Sequence, residues 1–282
     1  MGYQTIDVQP LSGALGAELL GVDLSAPLDN ATFSDIHQAF HEYLVIFFRD
    51  QKLTPQQHCD FARRFGQIVP HPYVQSLEGY PEIIEIVKRP DEVNNWGETW
   101  HADMTFRDEP PNAAVLYARE VPASGGDTLF ANMYLAYETL SEGMKQMLDG
   151  LEAVHESGRS GAFYDSYKGM KPKPAEALAA THPVVRTHRE TGRKALFVNR
   201  AFTRCLKDMA DEESRPILEY LYQHSTRPEF TCRFRWKKDS IAVWDNRVTM
   251  HNALNDDFSA RRGANGFRRV MHRATIAGER PA

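Results

Sequence analysis

Three residues in this chain are of the types that bind a divalent ion. His101 and Asp103 stand one residue apart in "ETWHADMTF" (98–106), and His251 lies far downstream in "IAVWDNRVTMHNAL" (241–254). Residues two apart on a strand share a face, so an imidazole and a carboxylate there can grip one ion. β-Branched and aromatic residues surround the pair and no turn signal interrupts the run, so 98–106 is predicted as a strand. By itself, His-x-Asp also describes an ordinary strand with one wet face. The second histidine, expected just past a strand, completes the facial triad of non-haem iron(II) oxygenases. Three protein ligands leave two positions for a chelating 2-oxo acid and one for dioxygen. Imidazole suits the ferrous ion, and a carboxylate offsets part of its charge. Two other classes use the same parts. A zinc hydrolase could carry a metal-bound water on these ligands, but it needs a general base and no HExxH motif supplies one. A catalytically silent β-barrel binding protein would leave the three ligands without a purpose.

The elements around these residues are mostly strands. "IDVQPLSGALGAELLGVDL" alternates short strand-like pieces with glycine turns, and its Gly13 and Gly16 form no phosphate loop because no GK[ST] follows. "NATFSDIHQAFHEY" reads as a helix capped by Asn30 and followed by the buried strand "LVIFF". "LTPQQHCDFARRFG" reads as a helix with Thr54 as N-cap, Pro55 at its first position and Gly66 at its end. "AVLYAREVPASGGDTLFANM" holds two strand-like runs, and "SEGMKQMLDGLEAVHES" reads as a helix capped by Ser141. From Gly158 to about Thr191 there is little periodicity, and a loop of that length is expected to cover a site. "DEESRPILEYLYQHS" is the last helix, followed by "TCRFRWKKD", "SIAVWDN" and "RRVMHRATIAG" as strands. Helices packed around such strands fit a closed or sandwiched β core better than a doubly wound sheet. His37, His41 and His58 fall on helices in packing or solvent-facing places. His182 and His188 lie in the long segment and are expected to be solvated.

The final strand carries its own chemistry. Its alternation puts Arg269, Met271 and Arg273 on one face and Val270, His272, Ala274 and Ile276 on the other. The second set suits packing under a helix. The first places two guanidinium groups roughly 13 Å apart at about 3.3 Å per residue, each able to bind a carboxylate bidentately. Arg268 has the opposite parity. Trp244, beside "DN", is expected to pack near the metal rather than bind it.

At 282 residues the chain is read as one domain (1–282) with an active-site loop at about 158–191. The net charge of -5 and pI near 6.1 give no reason to expect nucleic acid or an anionic membrane. The longest apolar runs, such as "YLVIFF", are far short of a membrane span. The start "MGYQTIDVQP" has no secretory pattern, and Ile6 stands where a myristoylation signal wants Ser or Thr. Three scattered cysteines, Cys59, Cys205 and Cys232, argue for packing roles and a reducing cytoplasm.

Taken together, "IDVQPLSGALGAELLGVDL", "WHADMTF", "GGDTLF", "FRWKKDSIAVWDNRVTMH" and "RRVMHRATIAGERP" resemble the taurine dioxygenase and phenoxyalkanoate-herbicide dioxygenase family. The resemblance covers nearly the whole chain. It implies a mainly β fold with flanking helices, the double-stranded β-helix or jelly roll (a cupin-like barrel). It implies Fe(2+), 2-oxoglutarate and O2 as reagents, with hydroxylation of a small anionic substrate: a sulfonate such as taurine, a sulfate ester, or an aryloxy or other carboxylate. Succinate and CO2 are released. His101, Asp103 and His251 match the iron ligands. Thr128 matches the hydroxyl that meets 2-oxoglutarate, Arg269 the arginine on its distal carboxylate, and Trp236 a tryptophan lining the pocket. Arg273 matches the arginine that reads the substrate anion, and His71 a histidine directed at a sulfonate. Tyr73 and Phe202 would line the same cavity. Gly97 stands where the taurine pattern has an asparagine. A homo-oligomer, dimer or tetramer, is expected.

Overall fold

The computed structural model describes residues 2–157, 177–258 and 266–282. Its largest sheet has eight strands: β1 (Asp7–Pro10), β2 (Ala17–Leu20), β3 (Val45–Phe48), β14 (Ile241–Asp245), β6 (Ala113–Glu120), β16 (Arg269–Ile276), β5 (Tyr80–Lys88) and β4 (Ser76–Leu77), in that spatial order. A smaller sheet is built from β13 (Thr231–Phe234), β7 (Thr128–Asn132) and β15 (Thr249–Ala253). Successive strands alternate between the two. The chain passes from β6 to β7, and later from β13 to β14, back to β15 and on to β16. That alternation is the double-stranded β-helix, as the resemblance implies.

Between the sheets lies an aromatic layer. Phe47 of β3 stacks on Phe234 of β13 with centroids 3.9 Å apart, and Phe130 of β7 packs 5.8 Å from Trp244 of β14. The outer face of the large sheet is covered by α1 (Asn30–Tyr43) and α2 (Pro55–Arg63). Ile36, Phe40, Cys59 and Phe61 of these helices pack with Ile46, Phe48, Ile241, Val243, Ala274 and Ile276. The central strands are therefore buried on both faces and read as continuous apolar runs. β16 is flanked by β6 and β5 rather than standing at an edge.

α2 starts at a capping box of Thr54 and Gln57 with Pro55 inside, as its residues predict. α5 (Asp211–Ser225) follows α3 (Met133–Glu138) and α4 (Glu142–Leu148), and spans the predicted last helix. Other expectations need correction. The cap of α1 is Asp29, whose Oδ1 accepts from the Thr32 backbone N–H at 2.7 Å, and not Asn30. The helix after Ser141 stops at Leu148, because Gly150 turns the chain at φ +75° into β8 (Glu152–Glu156). β8 pairs with β9 (Ala179–Pro183) and β12 (Thr203–Leu206), and β10 (Val185–Thr187) forms a hairpin with β11 (Lys194–Leu196). The second part of the expected loop is thus strand, its short alternating pieces too brief to show a period. Residues 158–176 lie outside the described residues. Among the described residues, no helix is long and apolar enough to cross a membrane.

Candidate active site

His101 and His251 are joined backbone to backbone. The His101 N–H donates to the His251 carbonyl at 3.0 Å, and the His251 N–H to the His101 carbonyl at 2.8 Å. This isolated bridge sets the ring centroids 4.1 Å apart. His251 lies within β15 rather than just past a strand. Asp103 is not on a strand at all: residues 103–106 form a turn, and Met104 takes a left-handed φ of 45°. The strand expected over 98–106 shrinks to the single bridge at His101. Turning puts the carboxylate opposite both imidazoles, with Oδ1 3.9 Å from each Nε2. One ligand atom from each residue lies within 4.8 Å of the others, a triangle that one divalent ion can span.

The electrostatics suit a cation. Burial lowers the His101 affinity for a proton, and it drives His251 further down with the help of its histidine neighbour. Burial alone would raise the Asp103 carboxyl, but Arg273, His251 and His101 hold it below the usual carboxylate range. Two neutral imidazoles and one carboxylate are the donor set that a ferrous ion takes. Asp103 Oδ2 is buried without a hydrogen-bond partner among the described residues. The His101 Nδ1 lies 2.6 Å from the Thr99 carbonyl, a donor–acceptor pair that leaves Nε2 as the lone-pair nitrogen facing Asp103.

Beside the triad opens a cavity. Its walls include His101, His251, Thr128, Arg269, Met271 and Arg273, so the three residues of β16 assigned to one face by their alternation do face inward. Trp236 Nε1 donates to Thr128 Oγ1 at 2.9 Å, and the Arg269 guanidinium lies 5.8 Å from the Trp236 ring. Arg273 donates from Nη1 to Asp103 Oδ1 at 2.8 Å, while its Nε and Nη2 are buried without a partner among the described residues. Arg268, of opposite parity, is exposed and pairs with Glu120. On the other side of His101, Tyr73, Met104, Phe106 and Phe202 form an apolar cluster, with Phe202 edge-on to His101 at 6.1 Å. His71 packs 5.9 Å from Trp96, itself on the cavity wall, and its Nδ1 accepts from the backbone N–H groups of Tyr73 and Val74.

Such an arrangement can hold a metal, anchor a dicarboxylate between Arg269 and Thr128, and seat a second anion near Arg273. The comparisons with known proteins point the same way. Residues 7–275 match the model of the "Taurine catabolism dioxygenase TauD, TfdA family". The chain belongs to that family. It is 37% identical to an alkylsulfatase from Acinetobacter baylyi, covering 98% of this chain and 86% of the relative. Its identity to an alpha-ketoglutarate-dependent sulfate ester dioxygenase from Pseudomonas putida is 36%, over 98% and 91% of the two chains. A taurine dioxygenase structure from Burkholderia xenovorans superposes with a TM-score of 0.84 at 38% identity, covering 99% of this chain and 91% of that one. Membership in the TauD/TfdA family decides among the three classes: the protein is a 2-oxoglutarate-dependent dioxygenase of jelly-roll fold, rather than a zinc hydrolase or a silent binding barrel.

Several residues that serve the site were not singled out from the sequence. Asn246 accepts from the Asp103 backbone N–H at 3.2 Å. Thr105, in the turn after Asp103, accepts from Asn199 Nδ2 at 3.1 Å and lies 2.9 Å from His155 Nδ1. His182, expected in solvent, is buried on β9 with Nε2 2.9 Å from both the Thr105 and Arg107 carbonyls. His188 is likewise buried, 3.2 Å from Asp245. Paired strands enclose the first, whereas the second lies in the turn between β10 and β11 and is held by its contact with Asp245. Trp244 behaves as expected, packed 4.7 Å from the His251 ring.

Gly97 also gains a reason. At φ +77° it approaches His101 so closely that a Cβ would lie 3.1 Å from Cε1. Gly97→Ala should therefore press the imidazole out of line and strain the backbone by about 1–3 kcal/mol. We expect roughly tenfold weaker binding of a divalent metal and a melting point lower by a few degrees. Titration and calorimetry on the same sample would check both, and wild-type metal affinity would refute the steric argument.

Proposed function

We propose that His101, Asp103 and His251 hold Fe(2+), and that the enzyme uses it with 2-oxoglutarate and O2 to hydroxylate a small organic anion. The balance is one substrate C–H bond, 2-oxoglutarate and O2 giving the alcohol, succinate and CO2. The bound ferrous ion supplies the oxidising chemistry; the chain supplies the rest. Arg269, buried at 4% exposure, would receive the distal carboxylate of 2-oxoglutarate as a two-bond pair. Thr128 would add a hydrogen bond, its hydroxyl already oriented by Trp236. Arg273 would direct its remaining N–H groups at the anionic end of the substrate. Tyr73, Phe202 and His71 would form the wall on which the organic part lies.

The observation that carries this reading is the pair of buried arginines on one strand face beside the triad. Both guanidinium groups are buried and border the cavity, and Arg273 keeps its Nε and Nη2 beyond the bond to Asp103, so a 2-oxo dicarboxylate and an anionic substrate would each find a charge-assisted bond there. Among substrate classes, sulfate esters and sulfonates come first, since the names of the A. baylyi, P. putida and B. xenovorans relatives point there. An alkyl or aryl tail fits the apolar cluster of Met104, Phe106 and Phe202 better than taurine's ammonium does. A reducing cytoplasm suits the three unpaired cysteines.

A panel of sulfate esters, sulfonates and aryloxy acids, scored by substrate-stimulated succinate, tests the proposal. We expect at least one anion to stimulate turnover well above neutral analogues. In Arg273→Gln its KM should rise on the order of 30-fold or more while that of 2-oxoglutarate changes little, and succinate release should become uncoupled from hydroxylation. Neutral or cationic compounds outperforming every anion would overturn the assignment and leave Arg273 as a structural partner of Asp103.

A further inference from the structure

We propose that Asn246 is a positioning residue for the metal triad, the side chain that takes the place of a sheet ladder in fixing Asp103. This rests on the reading of His101, Asp103 and His251 as metal ligands. The two histidines are locked to each other by paired backbone hydrogen bonds, but Asp103 sits in a turn and has no such ladder. Its backbone N–H instead donates to Asn246 Oδ1 at 3.2 Å. The same oxygen accepts from Trp244 Nε1 at 2.9 Å. Both partners can only donate, so the amide has one possible orientation. Trp244 in turn lies against the His251 ring. One oxygen atom therefore links the segment bearing the carboxylate to the indole that supports a histidine. Asn246 does not line the cavity, so its influence must run through these contacts.

The turn that carries Asn246 is itself over-determined. On one side of it, Asp245 receives Arg247 through two bonds, Nε to Oδ1 at 2.8 Å and Nη2 to Oδ2 at 2.7 Å. His188 Nε2 lies 3.2 Å from the same carboxylate, and Arg247 Nη1 reaches Glu190 at 3.1 Å. The Asn246 backbone N–H donates to the Asn112 carbonyl at 2.9 Å. Asp245, Arg247 and His188 are all buried. Apolar residues of the same volume often stabilise a fold as well as a buried ion pair does, and what such a pair can add is a unique geometry. Here the geometry held is that of the Asn246 amide, one residue from both charges.

Mn(II) is the probe, its free concentration followed by electron paramagnetic resonance on protein shown by circular dichroism to be folded. Asn246→Ala should weaken Mn(II) binding 10- to 100-fold, the range seen when outer supports of metal ligands are removed. Ile36→Ala, which hollows the outer core under α1, should lower the melting point as much or more and leave Mn(II) affinity within twofold of wild type. Trp244→Phe keeps the ring against His251 but deletes one donor, and should weaken binding several-fold; it decides the matter should Asn246→Ala not fold. Asn246→Ala binding like wild type would overturn the proposal, as would Ile36→Ala weakening Mn(II) equally, since the effect would then be general loosening. Wild-type protein that fails to bind Mn(II) would overturn the triad itself, an outcome distinct from the other two.

Discussion

Asp103→Ala is expected to abolish hydroxylation, and to cost stability as well. The carboxylate is the only anionic donor in the triad, so its loss removes both a ligand and the charge that offsets a divalent ion. It also strands Arg273, whose Nη1 donates to Asp103 in a pair with side chains 3% and 4% exposed. Removing one partner of a buried ion pair leaves a desolvated charge and costs about 3–5 kcal/mol. The melting point should therefore fall by roughly 5–15 °C, although the β core is untouched. Asp103→Asn keeps the shape and should melt closer to wild type, yet it too should bind metal weakly. The measurements are succinate and product formation with iron in excess, and the weak visible band of anaerobic ferrous enzyme with 2-oxoglutarate. Near-wild-type turnover by Asp103→Ala would eliminate the triad.

Arg269→Ala should leave metal binding intact and raise the 2-oxoglutarate requirement on the order of 30- to 1000-fold, equivalent to about 2–4 kcal/mol for a charge-assisted pair in a buried site. Gly126 lies against this side chain: it has no Cβ, and one added there would meet Arg269 Cδ at 3.4 Å. Arg268→Ala is the internal control, because Arg268 is exposed and paired with Glu120 on the other face of the strand. Titrating 2-oxoglutarate against both variants reads the result directly. An effect in Arg268→Ala without one in Arg269→Ala would mean that the wrong face of β16 serves the cosubstrate.

How much of this was legible in the sequence depended on whether a feature is local. The capping box at Thr54 and Gln57 is spelled out in four residues, and α2 begins where they say. The parity of β16 follows from a period of two and needs no partner strand to be known. The turn at Asp103 is different: nothing in "HADMTF" signals it, and Met104 accepts a left-handed backbone because Thr105 and Asp103 are clamped by Asn199 and Asn246, 94 and 143 residues away. The burial of His182 and His188 has the same origin, since their partners are Thr105 and Asp245 on other elements. Gly150, by contrast, was a readable stop signal that a run of helix-forming residues obscured. The contact between Arg273 and Asp103 could not be foreseen, because alternation gives the face of a side chain and not the atom it meets.

The bridge between His101 and His251 has a bearing on how this protein can change over time. Both imidazoles and Thr128 descend from hydrogen-bonded backbone at the smaller sheet, and Arg269 and Arg273 from the larger, so placement within each set is dictated by the spacing of its own ladder. Tyr73, Met104, Phe106 and Phe202 sit on turns and connecting segments instead. Substitutions at Tyr73 and Phe202, away from the turn that carries Asp103, can reshape what the chamber accepts without altering the reactive half, whereas a change of register in β15 or β16 would dismantle it at once. Descendants of such a chain should diverge first in the compounds they consume and last in the reaction they perform.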